Sequence, residues 1–424
     1  MEEYICFEVN GSINNINKSG TITFKCNNEK NPFIFENRLF FPKELLNQDF
    51  LNSLENKQNF QEKEKLIKNL DSKTKTDSEY LNELYEMSKK EPSGLINLEG
   101  VCYMNAVLQC LYYCAPITKY FLTLDNPTQL GLVSKGYFNF VKGLFNGNKS
   151  AANNLRSAII NAESSFAGNE GKDSKDLILY LFSELNEELK TKGTPFRQLN
   201  IDRSNKLAVY NEKIQSDKTS GNIISKTFDF YVLLQYKCKN KNCNGKYAKT
   251  YYYIQNENVT IFELKNIVNQ LNKVNANISL EECCLSYNKS ELTVCSFCKE
   301  KQLEIKKTII SLPDIFIFVM SRGKYQGYDC TIDFPLQMDL GKCYIPIDNY
   351  HKEINTKYNL IGATFVYDWL KGNGHEGHTI AFCKTFKNGA YYIFNDRTAR
   401  EASIKEINGK VPYILFYEKN KINK

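Results

Sequence analysis

Over the first forty-one residues, apolar and polar positions alternate in short runs (4–9, 20–26 and 33–41), parted by Gly, Asn and Ser clusters that read as turns. A small strand meander is expected there. After Pro42 the apolar spacing becomes helical, through Leu45, Leu46, Phe50, Leu51 and Leu54, then Leu66, Ile67 and Leu70. Asp77 or Ser78 suits the cap of a further helix carrying Leu81, Leu84 and Tyr85, which Lys89, Lys90 and Pro92 would end. Residues 1–90 therefore read as a β-then-α extension, and nothing in them points to chemistry. From Gly94 the pattern changes to a loop, a helix beginning near Cys102, more helices to about Lys190, and strand-rich sequence from Ile224 to the end. Within that last part, 259–275 reads as one helix. Helices first and strands later predict an α+β architecture.

The composition of the 424 residues is that of a folding chain: 42% hydrophobic, 24% charged and 13% aromatic. A net charge of +7, spread along the whole length, gives no ground to expect nucleic acid as a partner. No apolar run approaches the ~18–20 residues of a membrane span, and Met-Glu-Glu-Tyr lacks the pattern of a signal peptide. A cytoplasmic or nuclear location, with no membrane partner, is the expectation. In such a compartment thiols stay reduced, so the fourteen cysteines are read by position rather than as a disulfide framework.

Cys102 follows the turn residue Gly100 and opens the helical pattern Tyr103–Leu111, which puts its thiol at a helix N-terminus. Unpaired N–H groups and the helix dipole favour the thiolate there, the reactive form. Cys110 and Cys114 read instead as core residues. A thiolate needs a base, and the chain has three histidines. His351 stands in a polar stretch. His375 and His378 share a glycine-rich loop that does not suit the helical two-histidine zinc motif. His378, at the start of an apolar strand, is the better general base. Asn395 or Asp396, on the strand that would pair with it, can orient the imidazole, as the Cys-His-Asn variant of the catalytic triad requires.

Taken together these segments resemble the ubiquitin-specific proteases, papain-like cysteine peptidases that remove ubiquitin. The stretch around Cys102 resembles their Cys box, and Gly377-His378 through Phe394-Asn395-Asp396 their His box. Residues 173–189, 312–322 and 413–417 resemble three further family segments, in family order. The resemblance covers about 91–424. It implies a catalytic domain with a helical thumb, a β-rich palm and zinc-ribbon-like β fingers at about 224–312. It implies Cys102 as nucleophile, His378 as base and then acid, and Asn395, or alternatively Asp396, as the orienting residue. Asn97 matches the asparagine that lines the family's oxyanion hole. Asp173 and Asp176 match carboxylates near the channel for ubiquitin's tail, although first-turn acids are also favoured by the helix dipole alone. The implied reaction is hydrolysis after ubiquitin's C-terminal glycine through a thioester, with no cofactor in the chemistry and ubiquitin or ubiquitinated proteins as partners. The alternative is a catalytically weak or inactive ubiquitin-binding scaffold of the same fold.

Cys238, Cys243, Cys295 and Cys298 form two closely spaced pairs on strand-rich sequence, a spacing that suits a closed structural zinc site. Cys283 and Cys284, read as strand neighbours facing opposite ways, are poor competitors for that metal. Glu99 departs from the family pattern and would bring a carboxylate near the thiol, where it would oppose the thiolate.

Overall fold

The alternating runs at the start of the chain do form strands: β1 (Glu2–Val9), β2 (Ile16–Phe24), β3 (Phe33–Phe35) and β4 (Arg38–Pro42). They build one antiparallel sheet in the order β2-β1-β4-β3. The structure is a computed structural model. It describes residues 2–9, 16–24, 33–35, 38–42 and 91–420, apart from 99, 125–126, 191–200, 272–276, 289, 323–329, 350–354, 368–376 and 408–409. The helices expected between 42 and 90 lie outside the described residues, as do Glu99, His351 and His375. The chain divides into two compact units, Met1–Lys75 and Thr76–Lys424.

In the second unit the helical spacing yields α1 (Cys102–Tyr112), α2 (Ala115–Leu122), α3 (Leu132–Phe145), α4 (Ala152–Ala162) and α5 (Ser174–Glu188). Every residue of α1 is buried. A helix closed to solvent on all sides belongs at the centre of a domain, and α2 to α5 supply one of its walls with Phe121, Tyr137, Phe140, Leu155 and Phe182. Gly100 adopts φ +69°, and a Cβ there would lie 2.1 Å from the Asn169 carbonyl oxygen. Only glycine fits the turn that leads into α1.

Two further helices, α6 (Lys206–Ser220) and α7 (Ile223–Phe228), precede the strand-rich part. That part contains β5 (Phe230–Cys238), β6 (Tyr251–Glu257), β7 (Thr260–Glu263), α8 (Leu264–Leu271), β8 (Ile278–Ser279), α9 (Leu280–Tyr287), β9 (Ser290–Thr293) and β10 (Leu303–Ile309). It continues with β11 (Ile315–Ser321), β12 (Ile332–Asp333), β13 (Gln337–Asp339), β14 (Lys357–Tyr367), β15 (His378–Lys384), β16 (Tyr391–Asn395), β17 (Thr398–Glu401) and β18 (Pro412–Lys419). An eight-stranded sheet runs β17-β16-β15-β14-β18-β11-β7, with β13 beside β14. Helix α1 packs on β14, β15 and β16. A second sheet, β6-β5-β10-β9, forms the fingers. The α+β class expected from the sequence is the architecture observed. Among the described residues no helix is long and apolar enough to cross a membrane.

Three local expectations are corrected. Residues 259–275 are not one helix: Thr260–Glu263 is β7, paired in parallel with β11 (Phe318 opposite Thr260), Leu264–Leu271 is helical, and 272–275 lie outside the described residues. The alternating Thr-Ile-Phe run found a strand partner, and tertiary pairing overrode local spacing. Strand structure begins at Phe230 rather than Ile224, because Asn222 and Ser225 close a capping box on α7. Cys283 and Cys284 lie on α9, not a strand, where Ser279 and Glu282 form another such box, and both are buried.

Candidate active site

Cys102 is the first residue of α1 and is only 9% exposed. The N-cap side chain makes no capping bond and no acid sits in the first turn, so the positive end of the helix dipole lies at Cys102. Across from it, His378 is the first residue of β15, paired with Tyr367 on β14. Its Nε2 lies 2.6 Å from Asn395 Oδ1 at the end of β16. With Nε2 so engaged, Nδ1 is the nitrogen left for the sulfur, and the Cys102 thiol and His378 ring are hydrogen-bonded. The Thr379 backbone N–H also donates to the sulfur.

The electrostatics follow from these contacts. Burial pushes the Cys102 thiol up, but the hydrogen bond and positive charge of His378 and the Thr379 N–H outweigh it, so the thiol sits below its ordinary value. His378 is raised to about 9, first by its bond to Cys102 and further by Asn395 and the Asp396 charge, with burial opposing. A lowered thiol against a raised imidazole favours charge separation between the two, sulfur toward thiolate and ring toward imidazolium. The buried thiols Cys114 and Cys383 go the other way, pushed well above their ordinary value by burial.

Asp396 organises the surroundings. It occupies the tight turn between β16 and β17 at φ +46°, a left-handed conformation that Asp tolerates better than most residues. Its Oδ1 accepts from Asn105 Nδ2 at 2.8 Å, its Oδ2 from Asn97 Nδ2 at 2.9 Å, and its carbonyl from the Leu95 N–H at 2.7 Å. The same Oδ2 stands 3.8 Å from His378 Nε2, farther than Asn395. Asn97 Oδ1 accepts the Val101 N–H at 3.1 Å, which folds the loop that delivers Cys102. One N–H of the Asn97 amide is thus spent on Asp396, and one remains for another acceptor.

Cys102, His378, Asn395, Asp396 and Asn97 are therefore gathered at one place. Asp173 and Asp176 lie at the start of α5, where Asp173 caps the helix through the Lys175 N–H at 2.8 Å and takes a hydrogen bond from the Tyr413 hydroxyl. Asp176 is a more exposed first-turn acid, 3.7 Å from Lys175 Nζ. Sequence reasoning missed Asn105 and Gln109. Asn105 also donates to the Ile96 carbonyl (3.3 Å), and Gln109 Nε2 to the Ser93 carbonyl (2.9 Å). The signal was legible: positions 102, 105 and 109 are polar in an otherwise apolar helix and share one face.

At the far end of the fingers, Cys238 closes β5 and Cys243 follows in a turn, while Cys295 and Cys298 lie in the turn between β9 and β10. The four sulfurs lie within 4.8 Å of one another, with Cys238–Cys298 at 3.7 Å and Cys243–Cys295 at 3.9 Å. A zinc ion at about 2.3 Å from each sulfur of a regular tetrahedron sets the sulfurs about 3.8 Å apart, so the cluster fits zinc. Backbone N–H groups of Cys298 and Phe297 bring the Cys295 thiol down to about 7 against the pull of burial, which readies one ligand as thiolate. Among the described residues no other group of His, Cys, Asp or Glu side chains comes together in this way.

Comparison with known proteins points in one direction. A family model described as ubiquitin carboxyl-terminal hydrolase matches residues 93–417. Ubiquitin carboxyl-terminal hydrolase 15 of Homo sapiens is 32% identical over 132 residues, 30% of this chain and 13% of that protein. Ubiquitin carboxyl-terminal hydrolase 21 of Mus musculus is 23% identical over 363 residues, 77% of this chain and 61% of that protein. The chain thus spans a minor part of the first and somewhat over half of the second. Among solved structures, the SAGA deubiquitinating module Ubp8/Sgf11/Sus1/Sgf73 bound to monoubiquitin matches with a TM-score of 0.58 at 18% identity, over 91% of this chain and 79% of that chain. The same module bound to ubiquitin aldehyde gives 0.53 at 19%, over 78% and 70%. At these identities the structural likeness speaks for the fold.

Proposed function

Since the chain belongs to the ubiquitin carboxyl-terminal hydrolase family, as a ubiquitin-specific protease of the papain-like class, we propose that it is an active deubiquitinating thiol protease. The observation that carries the reading is the sulfur of Cys102, held below its ordinary pKa by an imidazole that is itself raised to about 9 and braced by Asn395. A scaffold that only bound ubiquitin would have no use for that pair.

In this reading Cys102 attacks the carbonyl carbon after ubiquitin's terminal glycine. The Cys102 backbone N–H and the remaining amide N–H of Asn97 face the developing oxyanion, where one donor is worth about 3–4 kcal/mol. His378 protonates the departing lysine amine, and a thioester remains on Cys102. His378 then takes a proton from water, whose attack releases ubiquitin's carboxylate. Asn395 keeps the ring turned toward the sulfur, and Asp396 holds Asn97 while adding negative charge behind the imidazolium. Asp173 and Asp176 would receive the basic residues of ubiquitin's tail. Cys238, Cys243, Cys295 and Cys298 would hold a structural zinc, which fixes the finger turns and takes no part in the reaction. A reducing compartment, cytoplasm or nucleus, suits a thiol nucleophile.

Incubation with an isopeptide-linked ubiquitin dimer tests the activity. Release of free ubiquitin by the wild type is the expected result. A dimer that stays intact while binding the protein would overturn the reading in favour of the scaffold.

A further inference from the structure

Asn105 is buried, at 3% exposed, and stands one turn beyond Cys102 on the same face of α1. Both N–H groups of its side-chain amide are spent, one on Asp396 Oδ1 at 2.8 Å and one on the Ile96 carbonyl at 3.3 Å. Among the described residues its Oδ1 has no hydrogen-bond partner. A buried carbonyl oxygen left unpaired costs stability, so packing alone would be better served by an apolar side chain of similar shape. The two donors are what the position uses. The backbone of Asp396 is fixed without them: its carbonyl accepts the Leu95 N–H at 2.7 Å, and a Cβ at Gly94 would lie 2.2 Å from that same oxygen. What Asn105 adds is the direction of the carboxylate. With Oδ1 held by Asn105, Oδ2 meets Asn97 Nδ2 at 2.9 Å.

We propose that Asn105 is a positioning residue for the oxyanion: by holding Oδ1 of Asp396 it turns Oδ2 to Asn97 and so sets where the remaining Asn97 N–H points. This inference rests on the reading above, in which that N–H faces the oxyanion. Without Asn105 the Asp396 carboxylate is free to rotate about its Cβ–Cγ bond, and the Asn97 amide loses a fixed anchor. A donor off its line contributes little, because stabilisation of developing charge depends on a direction set in advance. The partners of the Cys102 sulfur, the His378 ring and the Thr379 N–H, are not the groups that Asn105 bonds. The effect therefore falls on the chemical step rather than on the thiol.

The test measures kcat and KM of the purified full chain on a ubiquitin C-terminal amide, for Asn105→Leu, Asn97→Ala and the double variant. Asn105→Leu keeps the shape and removes both donors. It should lower kcat about ten-fold with KM within about two-fold, and Asn97→Ala should lower kcat by about 10²-fold or more. The double variant should be no slower than Asn97→Ala alone, because both changes act through one donor. Multiplied losses, which independent structural damage would give, overturn the proposal, as does a wild-type kcat in Asn105→Leu. Alkylation of Cys102 by iodoacetamide builds no oxyanion and should keep its wild-type rate in Asn105→Leu. A loss there would place the damage at the thiol and overturn the proposal too. Asn105→Ala removes the same donors with less bulk and takes the place of Asn105→Leu where leucine disturbs folding. A second readout needs no hydrolysis. The Asn97 side-chain amide, assigned by NMR with Asn97→Asp, should exchange with solvent several-fold faster in Asn105→Leu, and an unchanged rate overturns the proposal. A wild type that hydrolyses no ubiquitin amide would instead sink the deubiquitinating reading, and the Asn97 exchange would then decide the inference by itself.

Discussion

Cys102 lies beside an imidazole and the Thr379 N–H at a helix start, whereas Cys238, Cys243, Cys295 and Cys298 gather within 4.8 Å of one another at the end of the fingers sheet. The side chain is the same in both places. At Cys102 a positive partner lowers the thiol while a helix terminus and buried loop fix its direction. In the fingers, burial and then the neighbouring sulfurs raise Cys238 to about 12 while N–H donors lower Cys295, an arrangement whose charge a divalent ion would balance. A third set, Cys110, Cys114 and Cys383, is packed in the core, with Cys110 and Cys383 sulfurs 3.7 Å apart. The lesson is that an isolated thiol next to a base suits reaction, grouped thiols suit a metal, and buried thiols without charge partners suit packing.

The largest effect should come from the isolated thiol. Cys102→Ala is expected to lower ubiquitin hydrolysis by at least about 10³-fold, measured as kcat/KM, because the nucleophile and the ion pair vanish together. Loss of activity on Cys110→Ala of the same size would break the contrast. Asn395→Ala should cost on the order of 10²-fold in kcat, since the imidazole loses its brace. This variant also sharpens the comparison through pH. The ion pair needs Cys102 deprotonated and His378 protonated, so activity falls on the acid side as the thiol takes up a proton. It falls on the alkaline side as pH rises through about 9, where His378 loses its proton. Asn395 contributes to raising His378, so its removal should move the alkaline limb to lower pH. An unmoved limb would show that Asn395 does not act through the ring.

The grouped thiols should respond to metal and not to the ubiquitin electrophile. Metal analysis of the purified chain is expected to give about one zinc per chain, and Cys295→Ser should lose it. The melting temperature should then fall by roughly 2–4 °C for each kcal/mol lost. A metal-free wild type would remove the zinc assignment. The smallest effect belongs to the core. Cys383→Ala should cost about 1–3 kcal/mol in unfolding free energy and leave hydrolysis unchanged.

Much of this contrast was legible in the sequence, for physical reasons that differ by residue. Cys102 could be found because Gly100 and the apolar spacing after it announce a helix start, and His378 because a glycine-rich loop gives way to an apolar run. The paired spacing of Cys238–Cys243 and Cys295–Cys298 predicted the cluster that the fingers assemble. The role of Asp396 as a hub was not legible, because its partners Asn97 and Asn105 lie 299 and 291 residues away in the chain. Residues 260–263 were misread because their fate depended on β11, more than fifty residues later. Local spacing predicts elements, but which polar atoms meet across them is decided by the fold.

Ubiquitin bearing a C-terminal electrophile, followed by intact-mass measurement and peptide mapping, decides whether Cys102 is the nucleophile. The wild type should gain the mass of one ubiquitin, attached at Cys102, and Cys102→Ala should gain none. A wild type that stays unlabelled, or a Cys102→Ala variant labelled at another cysteine, would contradict that role.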